Sequence, residues 1–488
     1  MTLRPADAPG PVSLFQDRSW WLFCLLVFGL KVFLLACDPL PKLFLGDSGS
    51  YLWTALSGWI PPDRSFLYGF IIRWVSLSAR SLTSLLLLQT LLGALTAIML
   101  ALICRQVFAL PPRISYALGL VSAIDPLQLI WERYVMTETI SLFLYAAILM
   151  LSFYYLAQRR LWQLASLQSL AVLLISFRIS YLLVVEASTL LLPIVAFFGP
   201  LGATFRESYA GPSRAALAKL GGLHLALSVS LMLILHLSYK QINGWLSGRE
   251  PAYLYSSGFS ILATWAPTLT PGDSPDSRLA RIIGRGSEFH LSDIHLRNSQ
   301  LYSPGYLVDR WKKAEPNLAI DDQVAKQTAL HSLLRRPIPI LVLGGRTFLG
   351  YFDLHQIGQQ AKSDLGMQTW PKGITDELAS RFRLAPPRPS EARSPTLLQR
   401  YFLHARPYYY VVLFSPIVCG VLFFFSREGY VVLLFFHSSI FLATNSLLAV
   451  TASVRYLQPM SFLTILIFAL LGKQLFDRIS LPQVSTTI

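Results

Sequence analysis

Charge is scarce in this sequence. Only 14% of its 488 residues are Asp, Glu, Lys or Arg, whereas a soluble domain carries roughly a quarter. Cysteine is nearly absent. Cys24, Cys37, Cys104 and Cys419 all fall in or beside apolar runs without metal-ligand spacing, which argues against a disulfide framework and a zinc site alike. His290 and His295 stand close together in a polar stretch, a spacing too weak to specify a metal. The chain has no Walker loop, no dinucleotide fingerprint after a strand, no HExxH and no GxSxG. Nucleotide-binding, zinc-peptidase and serine-hydrolase chemistry of the usual kinds therefore lack their residues.

What the chain has instead is apolar length. Hydrophobic residues make up 53% of it, mean hydropathy is +0.50, and they are gathered into runs. Crossing the hydrocarbon takes about 20 mostly apolar residues per helix, because backbone groups find no water there. The runs predict an all-α polytopic membrane protein with about ten spans, at 20–37, 82–104, 114–130, 136–157, 161–177, 181–198, 221–237, 408–425, 430–450 and 460–475. The first run is too long for a removed signal peptide and lacks a small-residue cleavage site. Three parts follow: a module of seven spans (1–237), a polar outer domain of mixed or mainly α structure (238–406) and a module of three spans (407–488).

The net charge of +15 does not indicate a nucleic-acid partner, because the basic residues sit in short loops between apolar runs. Arg4 and Arg18 precede the first span, and Arg105, Arg113, Arg159, Arg160, Arg206, Arg214, Lys219, Arg427, Lys473 and Arg478 fall in the other loops on that side. The positive-inside rule makes this side cytoplasmic. Residues 38–81 and 238–406 are then outside. The first of these outer segments is rich in Trp and Tyr, which suits short interfacial helices. The short apolar stretch 337–345, basic at both ends, reads as hugging the interface. No Asn-x-Ser/Thr sequon occurs in the outer loops, which fits a bacterial inner membrane.

Few acids remain to do chemistry, and most lie at the outer side. Asp47, in Gly46-Asp47-Ser48, follows the first span by about ten residues. A carboxylate there is partly desolvated and suits a base, or it caps a helix starting at Ser48. Asp125, Glu132, Arg133 and Glu138 cluster around the next outer corner, where charges near apolar runs must pair or work. Arg133 with Glu132 or Glu138, and Thr137 as a cap, is the structural version. Glu186 lies inside a span, with Arg178 as the nearest candidate partner in sequence. Outer arginines at Arg133, Arg178, Arg335, Arg336, Arg346 and Arg455 suit either lipid headgroups or bidentate capture of phosphate.

Several short motifs, in this order and topology, resemble the bacterial branch of the GT-C superfamily, membrane glycosyltransferases that use polyprenyl-phosphate sugars, among them protein O-mannosyltransferases and the lipid A aminoarabinose transferase. They are Gly46-Asp47-Ser48 with Tyr51, Arg64 and Leu67-Tyr68; Leu88-Gln89-Thr90-Leu91-Leu92; Met136-Thr137-Glu138-Thr139; and Arg455-Tyr456 with Pro459. The likeness covers residues 20 to about 200 and resumes near the C terminus. It implies a GT-C-like fold and transfer, with inversion, from a polyprenyl-phosphate sugar to a lipid, glycan or protein acceptor at the outer face of a bacterial inner membrane. It implies Asp47 as the acid that takes or orients the acceptor's proton, and Glu138 as the second catalytic acid. Arg455, Arg178 and Arg133 would hold the donor phosphate, and Tyr51, Arg64, Tyr68, Asp125 and Glu132 would line the donor or acceptor pocket. Several relatives carry adjacent acids in the first loop, whereas here Ser48 follows Asp47. No metal ligand is assigned, and a requirement for a divalent cation is left open. The outer domain is expected to cover the cavity in part. The alternative is a transporter or flippase for a lipid-linked or anionic substrate. Against it stand the absence of two matching halves and acids gathered at one face.

Overall fold

The computed structural model describes residues 17–198, 214–285, 294–315, 317–365, 372–384, 395–426 and 428–480. Of the basic residues read as cytoplasmic, Arg4, Arg206 and Arg427 lie outside these, as does His290. The described elements are helical, with one isolated bridge between Lys42 and Tyr134.

Each of the ten apolar runs forms helix. Eight helices are long and apolar enough to cross a membrane: Arg18–Cys37, Thr83–Val107, Glu138–Gln158, Ile179–Phe198, Ala215–Ser247, Arg406–Phe425, Gly429–Leu447 and Val454–Asp477. The run at 114–130 is a bent pair, Pro112–Ala123 and Pro126–Arg133, meeting at 44°, and makes a ninth if taken as one span. Its break follows from Pro126, which cannot donate to the preceding turn. Asp125 caps the new start by accepting from the Leu127 N–H at 2.8 Å. Leu161–Phe177, drawn as a tenth, is an apolar helix of 17 residues, shorter than the eight.

The most enclosed helices are Thr83–Val107, Glu138–Gln158 and Val454–Asp477, while Arg18–Cys37 is peripheral. The peripheral helix buries Trp20, Phe23, Val27, Lys31 and Leu35, positions three to four apart that form one face. The other face, with Leu22, Leu25 and Phe33, is exposed and suits lipid. With the bent pair and Leu161–Phe177 counted as crossings, residues 38–82, 124–137 and the described part of 248–405 fall at one end of the bundle. This loop end is the one that the charge pattern assigns to the outside.

The helix Arg214–Ser247 runs through the boundary drawn at residue 237. Its 34 residues rise about 50 Å, longer than the hydrocarbon is thick, so it extends into the loop end. Beyond it the described part of 248–405 is a set of shorter helices, with a small core around Phe259, Leu262, Leu279 and Trp311. This segment is stitched to the bundle. Trp265 Nε1 donates to Leu447 O at 2.8 Å, Tyr134 Oη donates to Leu365 O at 2.6 Å, and Thr396 Oγ1 donates to Asp38 Oδ2 at 2.7 Å. The stretch read as interfacial forms the helix Pro337–Gly350, which buries Ile340 and Leu343 and packs on Gly429–Leu447.

Candidate functional site

The first helix of the segment 38–81 is Leu45–Ser57, ended by Gly58 at φ 76°, a left-handed position that glycine adopts without strain. The helix starts at Leu45, so Asp47 lies in its first turn and does not cap it; Phe44 is the cap residue and makes no side-chain cap bond. Ser48 instead fixes the start. Its Oγ accepts from the Phe44 N–H at 2.8 Å and donates to Val135 O at 2.9 Å, tying the loop to the turn that precedes Glu138. The Asp47 carboxylate is left for arginines. Arg64 Nη1 donates to Oδ1, and Arg455 Nη2 lies 2.7 Å from Oδ2.

Arg455 comes from far along the chain, in the short turn Val454–Leu457 at the mouth of the last span. Its Nε donates to Glu138 Oε1, and its guanidinium sits 5.0 Å over the Phe44 ring. Glu138 opens the helix Glu138–Gln158 and is fully buried. Arg178, in the extended break after Leu161–Phe177, brings Nη1 to 2.9 Å from the same Oε1. Arg64 also pairs with Asp63 at 3.0 Å. The result is an unbroken chain of alternating charge, Asp63–Arg64–Asp47–Arg455–Glu138–Arg178, assembled from four separated segments. Some bonding capacity is unspent: Arg64 Nε and Glu138 Oε2 are buried without a hydrogen-bond partner.

The chain of charges borders a cavity of about 840 Å³ at the loop end, lined by Asp47, Tyr51, Arg64, Arg178 and Arg455 among others. The volume falls in the range of small-molecule sites. Tyr253, Tyr302, Lys312 and Gln360 from the 248–405 segment form part of its wall. Burial works to raise the Asp47 carboxyl, but Arg455 and Arg64 outweigh it and hold Asp47 below the ordinary carboxylate range. The Tyr51 hydroxyl is pushed upward, chiefly by burial and then by the nearby Asp47 and Glu138 charges. Tyr302 is pushed up to about 12, again mainly by burial. The arrangement can grip an anion with guanidinium groups and present a carboxylate beside it.

Other residues singled out in the sequence lie elsewhere. Arg133, expected at the donor phosphate, is buried away from the cavity lining. It donates to Thr90 Oγ1 at 3.1 Å and lies 3.8 Å from Glu132. Glu132, expected to line the pocket, pairs with Lys31, buried within the first span. An intramembrane lysine signals a paired or functional site, and the sequence reading passed over it. Asp125 caps the bent helix and accepts from Tyr408 Oη at 2.8 Å. Tyr68 sits behind Tyr51, donating to Gln89 Oε1 at 2.6 Å. Glu186 is 3.5 Å from His236, while Arg178, its expected partner, serves Glu138. The pairing of Arg133 with Glu138 gives way to Arg455 and Arg178, and Thr137 makes no side-chain cap bond. All four cysteines are free. Among the described residues no group of three or more His, Cys, Asp or Glu comes together to hold a metal.

No family model matches the chain, and neither a curated protein nor a solved structure matches it.

Proposed function

We propose that this chain is an integral membrane glycosyltransferase. It moves a sugar from a polyprenyl-phosphate donor to a lipid, glycan or protein acceptor of the cell envelope, with inversion. The reading places the N terminus in the cytoplasm of a bacterium and the cavity at the outer face of the inner membrane. One observation carries it: Asp47 and three arginines from distant segments line one cavity at the loop end of the apolar helices, with Glu138 buried behind two of those arginines. A lipid-tethered phosphate sits at the headgroup level, where that cavity would lie.

In this reading Arg64, Arg178 and Arg455 hold the donor phosphate. As the acceptor hydroxyl oxygen attacks the anomeric carbon, its proton passes to Asp47. The bond from that carbon to the phosphate oxygen breaks, and its electron pair leaves with the phosphate, steadied by the arginines. Glu138 orients Arg455 and Arg178, and the wall from 248–405 receives the acceptor. Holding both reactants in one cavity supplies much of the rate through positioning.

The test is transfer by the purified chain in detergent. It is offered a panel of polyprenyl-phosphate sugars with envelope lipids and glycans, beside the Asp47→Asn variant. Release of polyprenyl phosphate by the native chain alone supports the reading. No release from a folded, lipid-binding protein overturns it in favour of transport.

A further inference from the structure

The arginines of this cavity are already engaged by the protein's own carboxylates. Asp47 takes Arg64 and Arg455, and Glu138 takes Arg455 and Arg178. An entering phosphate needs the same guanidinium edges, because a carboxylate and a phosphate each accept a bidentate pair from that fork. The anion and the Asp47 carboxylate therefore compete.

We propose that an anionic group entering the cavity takes Arg64 and Arg455 away from Asp47, and that this exchange turns Asp47 into a competent proton acceptor. The proposal rests on the reading of the cavity as a phosphate site. Once its two cations are drawn off, most of the influences that act on Asp47 favour the protonated form. These are burial, the Glu138 carboxylate at the start of its span, Asp63 across Arg64, and the charge of the anion itself. The remaining neighbours that bear on it are Arg178 beyond Glu138, Tyr51 on its own helix, Tyr456 beside Arg455, and Tyr302 and Lys312 on the opposite wall. Without an anion the two arginines keep Asp47 a poor base. Donor binding thus arms the base, and an acceptor hydroxyl is activated only when a sugar phosphate is in place.

The probe is sulfate, which keeps its charge across the range used. Its binding to the full-length chain in detergent is followed between pH 7.5 and 4.5 through tryptophan fluorescence, since Trp59 lines the cavity. Exchange at Asp47 makes binding tighten as pH falls, by up to about tenfold per pH unit where one proton is taken up. Asp47→Asn, which removes the competing charge, binds sulfate more tightly at pH 7.5 and loses the slope. If Asp47→Asn does not fold, proton uptake by the native chain, from binding heats in two buffers of different ionisation enthalpy, carries the test. Equal affinity and equal slope in native and variant protein, or no proton uptake, overturn the exchange. The two proposals fail separately: pH-linked sulfate binding without sugar transfer leaves the exchange standing and removes the glycosyltransferase, and transfer without pH-linked binding does the reverse.

Discussion

Two clusters of buried charge draw on the same short stretch of chain and end in opposite situations. Glu138 lies buried behind the wall of the cavity, joined through Arg455 and Arg178 to the lining residue Asp47. Glu132, six positions earlier, is sealed between Lys31, Arg133 and the backbone of Gly93. In the first cluster partners are shared: Asp47 and Glu138 each touch two arginines, and Arg64 and Arg455 each reach two carboxylates. In the second, one carboxylate serves both cations, for among the described residues the ion pairs of Lys31 and Arg133 both go to Glu132. Redundancy beside a cavity suits groups that must change partners, and a sealed pair suits a joint between spans.

That contrast sets the expected outcomes. Asp47→Asn lowers transfer by about 10²- to 10⁴-fold, the usual worth of a general base. It leaves the unfolding temperature in detergent nearly unchanged, because Arg455 keeps Glu138 and Arg64 keeps Asp63. Activity that survives the change removes Asp47 from the chemistry. In the native chain the acid limb of kcat lies at higher pH than that of kcat/KM, since the first reports the donor complex and the second the free protein. With Asp47 held low when unliganded, loss of kcat/KM waits until pH falls below the ordinary carboxylate value of about 3.9. Coincident limbs contradict the exchange of partners.

The sealed cluster responds in the opposite sense. Glu132→Gln leaves Lys31 buried without a carboxylate and costs about 3–5 kcal/mol, read as a fall in unfolding temperature. Adding Lys31→Met recovers most of it, and failure to recover would mean that the pair is not the joint. Gly93→Ala drives a methyl into the Glu132 carboxylate and costs about 1–3 kcal/mol. Smallest is Tyr408→Phe, which removes the hydroxyl that Asp125 accepts from, at about 1 kcal/mol and with no change in transfer.

The helical class and the places of the spans were legible because each run must satisfy its backbone alone. Asp47 stood out for a similar reason, as a charge near an apolar run. Neighbours such as Arg133 and Glu132 were legible as partners, but distant ones were not. Arg178 is the nearest candidate partner of Glu186 in sequence, yet it reaches Glu138, and Glu186 meets His236 on the long helix. Arg455 and Asp47 are some four hundred positions apart, and only the folded chain sets the turn Val454–Leu457 beside the helix Leu45–Ser57. Periodicity says which face of a helix is buried; it does not say which loop lies over its end. The extended backbone at Tyr134, after the turn Trp131–Arg133, likewise parts Glu132 from Glu138, although both sit at one corner of the sequence.

The union of the two acids through Arg455 has a consequence for how the protein is made. A ribosome delivers Asp47, Arg64, Glu138 and Arg178 to the membrane while residue 455 is still unsynthesised, and domains form in that order. Of the contacts in the centre, those that do not need residue 455 are two separate pairs, Asp47 with Arg64 and Glu138 with Arg178. Stalled or clipped products lack the residue that joins the two pairs, so the six-charge centre exists only in a chain translated as far as its last span.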